Sequence, residues 1–344
     1  MIGSHRTPRV RRQGAGPTGP RRRVARPLFG GAAVALAVLL SGGACSPQSA
    51  LEVVEEVDVG AAPLGVAANP EDGIVYVSDN ADGAVSVIDA ASATVSGTIA
   101  VGAEPHGLAL DATGATLYVA NSEDDTVSVV DTASGKVTGT IEVGTQPTGV
   151  AVHPTTGLVY VTSWIDGTVD VLDPATSKVT RTIPVGRGAC GLAFGATGTL
   201  YVTAWEENKV AVVDVEAGRV VASVPVGREP YGVAVDDQGG FAYVTNSRDD
   251  TVSVIDTATR TVTTTLTVGR EPYGIAFDPR LRAVYVAAWW DGSVFVIDAE
   301  SNQVSLTNTI GVANGVEAMA VDTASNTLFV TNSVSDVVSL IRPR

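Results

Sequence analysis

The stretch Val226–Val235, "VGREPYGVAV", returns 42 residues later as Val268–Phe277, "VGREPYGIAF". Near-identity at this distance, with Arg, Glu and Tyr all kept, marks a structural repeat. A period of that size decides the fold before any local feature does. Followed outward, the Val-Gly pair sets the register at Val59, Val101, Val143, Val185, Val226 and Val268, and a degenerate "VANG" begins at Val312. The steps are 42, 42, 42, 41, 42 and 44 residues.

The second unit shows what each repeat contains. "GLAL" (107–110), "TLYVAN" (116–121), "TVSVVD" (126–131) and "KVTGTIEV" (136–143) are short β-branched runs separated by "DATGA", "SEDD" and "TASG". Runs of this kind between turn residues read as strands. Four antiparallel strands per 42 residues make a propeller blade, so the class is all-β. The two ends agree. The last unit stops after a third strand, "DVVSLIR" (336–342), while "EVVEEVDVG" (52–60) aligns with the fourth strand "KVTGTIEVG" (136–144). Strand 52–59 is therefore expected to complete the C-terminal blade, closing a seven-bladed ring over 52–344 and removing an exposed sheet edge.

What precedes residue 52 reads as an address. Residues 1–44 hold eight of the 22 basic residues and no acid, and lead into the apolar run "LFGGAAVALAVLLSGGA" before Cys45. This is the pattern of an export signal, similar to that of bacterial lipoproteins, with Cys45 as the lipidation site and 45–51 as a short linker. Gly42 stands where such signals usually carry Leu, so cleavage after Ala44 without lipidation is the alternative. The chain is thus expected on the outer surface of the cell membrane or outside the cell, touching membrane only through a lipid anchor. The remainder carries 14 basic against 37 acidic residues, which repels phosphate backbones and argues against nucleic acid as a partner. With Cys45 committed to processing, Cys190 has no partner, so disulfides do not hold the fold.

The second strands end "YVSD", "YVAN", "YVTS", "YVTA", "YVTN", "YVAA" and "FVTN", and the first strands open with "P-x-G-[VIL]-A" in most units. On these motifs the chain resembles the YVTN family of seven-bladed β-propellers across 52–344. The resemblance implies fold, and an exported or surface-layer setting, but no defined activity.

Positions shared by every blade answer to the scaffold, so function is sought where blades differ. The repeated Tyr is read as inter-blade packing, and the Asp closing each third strand (89, 131, 173, 214, 256, 298) as a turn cap. The slot after the entry Pro varies: Leu64, His106, Thr148, Cys190, Tyr231, Tyr273, Glu317. It is expected at the mouth of the central channel. All four Trp (164, 205, 289, 290) fall in loops after the second strand, and Arg187, Arg228 and Arg270 occupy one slot of blades 4, 5 and 6. Aromatic rings with Arg at loop ends suit recognition. The expected role is a ligand-binding module using Trp164, Trp205, Trp289, Trp290, Tyr231, Tyr273, Arg187, Arg228 and Arg270, for a cell-envelope glycan, peptide or protein. A monomer without cofactor is expected.

Two other readings stand beside it. One is a hydrolase or lyase using His106 and Glu317 at the channel mouth, with a divalent ion, or Cys190 as nucleophile with His106 as base. The other is a purely structural envelope propeller. In the binding reading the Trp rings would otherwise be rim packing, and Arg228 and Arg270 would pair with Glu229 and Glu271 of neighbouring loops. The acidic loops "NSEDDT" and "NSRDDT" lack the Gly and Glu of an EF-hand, leaving at most weak calcium binding.

Overall fold

A computed structural model describes residues 51–69, 71–195, 198–305 and 309–344. The leader 1–44 and Cys45 lie outside the described residues. Seven antiparallel sheets follow one another along the chain, and in blade 2 the strands are Pro105–Leu110, Thr116–Asn121, Thr126–Asp131 and Lys136–Glu142, paired in that order. The ring closes as the sequence predicts. Strand Leu51–Asp58 pairs antiparallel with Val337–Pro343, which pairs in turn with Thr327–Asn332 and Val316–Asp322. One irregularity marks the longest repeat. In blade 6 the fourth strand is split into Gln303–Val304 and Ile310–Gly311, both paired with Ser293–Asp298, where the step between Val-Gly marks lengthens to 44.

The core lies between blades rather than within one. Tyr76 of blade 1 packs with Leu108, Leu117 and Val119 of blade 2, and Tyr118 of blade 2 packs with Val159, Val161 and Leu172 of blade 3. Phe329 of blade 7 closes the circuit with Val75, Val77 and Ile88 of blade 1. Period-2 alternation explains this layering, because each buried strand sends side chains to both neighbouring sheets. Fully burying one Val, Leu or Phe side chain stabilises by about 1.5–3 kcal/mol, and seven such clusters replace the missing disulfides.

Each first strand carries a bulge just after its entry residue, between Pro105 and Leu108 in blade 2 and between Pro230 and Val233 in blade 5. A bulge bends its strand and re-aims one side chain. The re-aimed residue is the variable channel slot. The glycine that follows it is needed for close approach: a Cβ on Gly107 would fall on the Thr148 carbonyl oxygen, and one on Gly191 on that of Tyr231.

Candidate functional site

The four letters of the YVTN motif do four separate jobs. Tyr packs into the next blade and Val fills the core. The hydroxyl of the third residue donates to the channel-slot carbonyl of the next blade: Thr162 to Cys190 at 2.7 Å, Thr203 to Tyr231 at 2.7 Å, Thr245 to Tyr273 at 2.8 Å and Thr331 to Leu64 at 2.8 Å. Ser78 serves His106 in the same way at 2.5 Å. Asn closes the strand inside its own blade. Asn121 Nδ2 donates to Thr126 Oγ1 (3.0 Å) and Ser128 Oγ (2.9 Å), and its Oδ1 accepts from Gly102 N (3.1 Å).

Blade 1 departs from this pattern with Asp79. Its Oδ2 accepts from Ser86 Oγ at 2.7 Å, but its Oδ1 is buried without a partner, as is Asn246 Oδ1 in blade 5. Burial raises the Asp79 carboxyl to about 6, and the Ser86 hydrogen bond only partly offsets it.

The channel slots line a cavity of about 180 Å³, with His106, Cys190, Tyr231 and Glu317 as its chemically distinctive walls. Burial holds His106 down to about 4, against the upward pull of the Thr148 carbonyl, so the imidazole is neutral at physiological pH. Its Nε2 lies 3.4 Å from the Tyr231 hydroxyl, a contact that bridges the channel between blades 2 and 5. Tyr231 and Tyr273 meet edge to face with centroids 5.0 Å apart. Burial raises both phenols, Tyr273 to about 12. Glu317 Oε1 accepts from Trp289 Nε1 and from Ser333 Oγ, both at 2.9 Å. Burial pushes the Glu317 carboxyl up, and those two donors pull it back.

The catalytic expectations lose their geometry here. Cys190 does not meet His106. Its Sγ lies 3.1 Å from Thr203 Oγ1 and 3.6 Å from the carbonyls of Pro230 and Tyr231, and burial pushes the thiol up to about 11. A thiol held in that state is a weak donor rather than a nucleophile. His106 and Glu317 line the same cavity but have separate partners, Tyr231 in one case and Trp289 and Ser333 in the other. Among the described residues, no group of three or more His, Cys, Asp or Glu is placed to hold a metal ion.

The loop carboxylates are equally occupied. Asp124 accepts from Ala103 N at 2.7 Å within its own blade, and Asp125 from Gln146 N at 2.8 Å in the next. The corresponding Asp249 and Asp250 cap Arg228 N and Glu271 N. The Asp pairs of the "EDD" and "RDD" runs thus serve as caps for backbone amides. The six third-strand Asp behave as read; Asp131, for instance, accepts from Ser134 N and Oγ.

The aromatic residues gather in two places. Trp164 and Trp205 meet at 5.3 Å between blades 3 and 4, and Trp289 and Trp290 at 6.0 Å on blade 6. Arg270 lies over the Trp290 ring at 5.8 Å. The arginines do pair across loops, but not with the expected partners. Arg228 Nε meets Asp249 at 2.6 Å, Arg270 Nε meets Asp291 at 2.7 Å and Arg187 Nε meets Glu206 at 3.6 Å. Glu229 and Glu271 take no part, because in each case the capping Asp already sits beside the Arg amide. Exposure of the large apolar residues points to two sites that the sequence reading missed. Ile165 (55% exposed), Trp290 (49%) and Val334 (61%) occupy the same slot, second in the loop after the second strand, in blades 3, 6 and 7. Comparing blades at that slot, where others carry Ala81, Glu123, Glu206 and Arg248, would have found them.

Comparison with known proteins agrees with this architecture. The sequence model of the YNCE-like beta-propeller family matches residues 108–206, from the first strand of blade 2 into blade 4. The chain is a seven-bladed β-propeller. Among solved structures it is similar to a chain of Kuenenia stuttgartiensis hydrazine synthase, with a TM-score of 0.75 and 20% identity over 88% of this chain and 99% of that one. At that identity the likeness speaks for fold alone. No curated protein matches. Since 1648 solved chains match this propeller, the fold is too widely shared to name an activity.

Proposed function

We propose that this propeller is an exported, membrane-anchored binding module that meets its ligand through the loop end of blades 3 to 7. One observation carries the reading. The three most exposed large apolar side chains among the described residues, Ile165, Trp290 and Val334, all occupy one structural slot, next to the half-buried Trp164, Trp205 and Trp289. The remaining exposed apolar residues, Val54, Val95 and Val137, are scattered on fourth strands. Apolar groups repeated at one loop position beside Arg187, Arg228 and Arg270 suit a cell-envelope glycan, peptide or protein, with rings stacking and Arg termini donating. Each Arg pairs with a carboxylate through Nε, which fixes its direction, and Arg228 Nη2 also donates to the Arg248 carbonyl at 3.4 Å. The hydrolase or lyase reading has no comparable support, since His106 and Glu317 have no hydrogen bond to each other and each has other partners.

The test is a titration of the full-length chain with cell-wall glycan fragments and peptides, followed by intrinsic Trp fluorescence. Trp205→Ala and Trp290→Ser are expected to weaken binding about tenfold or more, as for a truncated aromatic anchor. His153→Ala, which is remote from these loops, should have no effect. Equal losses from all three variants would remove the proposal.

A further inference from the structure

The cavity at the centre of the ring contains one carboxyl group with no basic partner. Glu317 lines it, and both of its hydrogen bonds fall on Oε1, leaving Oε2 without a donor among the described residues. No Lys or Arg lines the cavity. The titratable groups that line it with Glu317 are His106, Cys190 and Tyr231, and Tyr273 packs against the Tyr231 ring from outside the lining. All are neutral at physiological pH, because burial raises the phenols and the thiol and lowers the imidazole. Both Tyr rings lie within the electrostatic reach of Glu317, and they meet each other edge to face at 70° rather than stacking flat. The rest of the wall is largely apolar: Leu64, Leu192, Ile275 and Met319.

We infer that this cavity binds a small organic cation, an alkylated or methylated ammonium group, with Glu317 as its counter-ion and the ring of Tyr231, backed by that of Tyr273, beside it. A carboxylate with aromatic rings is the arrangement that attracts quaternary ammonium groups. Size agrees, since the cavity of about 180 Å³ is close to the ~150 Å³ that admits benzene. Chemistry selects against inorganic ions. Mg²⁺ and Ca²⁺ require several oxygen ligands, and the wall offers one free carboxylate oxygen. A weakly hydrated alkylammonium loses little water on entering an apolar chamber. The inference adds a ligand class to the loop-end binding reading and rests on that end of the ring being open to ligand, but it uses different residues.

The experiment titrates choline and tetramethylammonium into the full-length chain at pH 8 by calorimetry, with 3,3-dimethyl-1-butanol as the uncharged analogue of choline. The charged probes should bind saturably, and the uncharged analogue about tenfold more weakly or not at all. Glu317→Gln is the decisive variant. Its amide oxygen still accepts from Trp289 and Ser333, so the fold is kept while the charge is lost, and affinity for choline should fall about tenfold or more. Tyr231→Leu should weaken choline and spare the alcohol. Binding should also weaken as pH falls and Glu317 gains its proton. The inference is overturned by equal affinity for choline and its carbon analogue, by an unaffected Glu317→Gln variant, by no saturable binding of either cation, or by Ca²⁺ or Zn²⁺ binding in their place. Glycan or peptide titrations of Glu317→Gln keep the two readings apart. If they still show loop-end binding while choline fails, only the cavity assignment is lost.

Discussion

Blades 2 and 5 and blades 3 and 6 build the same loop in two ways. In blades 2 and 5 the residue in left-handed conformation is Asp125 or Asp250, with φ of 56° and 57°. Its carboxylate reaches into the next blade to cap Gln146 N or Glu271 N. In blades 3 and 6 the same place is taken by Gly167 and Gly292, and the following loop sits directly on the glycine. A Cβ there would strike the Gly186 carbonyl in one case and Asn314 N in the other. The tie between blades then runs through backbone, with Trp164 and Trp289 carbonyls accepting from Gly188 N at 3.1 Å and Gly315 N at 2.9 Å. A backbone rivet thus replaces the side-chain one in the loops of Trp164 and Trp289, whereas the loops of Trp205 and Val334 keep a side-chain rivet, Asn208 to Glu229 N and Asp336 to Ala62 N. Structure and recognition share these hairpins, and the blades combine the two tasks in different ways.

The largest effect is expected where one blade breaks the shared pattern. Asp79 stands where Asn121 makes a complete set of bonds, and Asp79 is 1% exposed with a carboxyl raised from 3.8 to about 6. The folded state thus holds the proton more tightly than the unfolded one. Stability from this group is full below pH 3.8, declines as pH rises towards 6, and stays low above it. A shift of that size corresponds to roughly 3 kcal/mol. Asp79→Asn, whose amide can donate to Ser86 and accept from Gly60 N as Asn121 does from Gly102 N, should recover most of that at pH 8 and little at pH 4. Urea unfolding at the two pH values checks this. A gain that is the same at both would mean that ionisation is not the cause.

A smaller change should separate the two kinds of rivet. Asp250→Gly keeps the left-handed backbone, which glycine adopts freely, and deletes only the cap on Glu271 N. A loss of about 1 kcal/mol is expected, the usual value of a capping hydrogen bond. Asp125→Gly should cost a similar amount. If neither variant changes the urea midpoint, the carboxylates are ornaments on loops held by something else.

These contrasts also define what the sequence could disclose. Blade number, strand order, ring closure and the roles of the repeated Tyr and third-strand Asp were legible, because each is a local pattern written several times over. The partners of Arg228 and Arg270 were not. Asp249 and Asp291 lie 21 residues away, and only the folded hairpin brings them beside the Arg amides. The relay from Thr162, Thr203 and Thr245 to the next blade's carbonyl was hidden for a similar reason, since its acceptor is backbone and leaves no letter in the sequence. Ile165 and Val334 escaped notice because attention went to rings, whereas exposure at one slot is a property of any apolar side chain. His106 was visible as a polar oddity, but its neutrality and its Tyr231 neighbour follow from the geometry of a seven-membered ring.

The smallest expected effect on stability tests the division of labour most directly. Trp289 and Trp290 are adjacent in sequence but differ in situation. Trp289 is half-buried and donates to Glu317, while Trp290 is 49% exposed and touches Arg270. A scaffold residue and a recognition residue should respond differently to truncation. Trp290→Ser should leave the urea midpoint within about 0.5 kcal/mol of the parent, as for other surface changes, while removing binding at the loops. Trp289→Phe keeps an aromatic ring but loses the indole N–H donor and part of the ring's bulk. It should destabilise by about 1–3 kcal/mol, because Glu317 then keeps only Ser333 as a donor, and it should raise the Glu317 carboxyl further. If Trp290→Ser proved as costly as Trp289→Phe, both rings would belong to the scaffold. The exposed slot shared with Ile165 and Val334 would then be a packing feature of the rim.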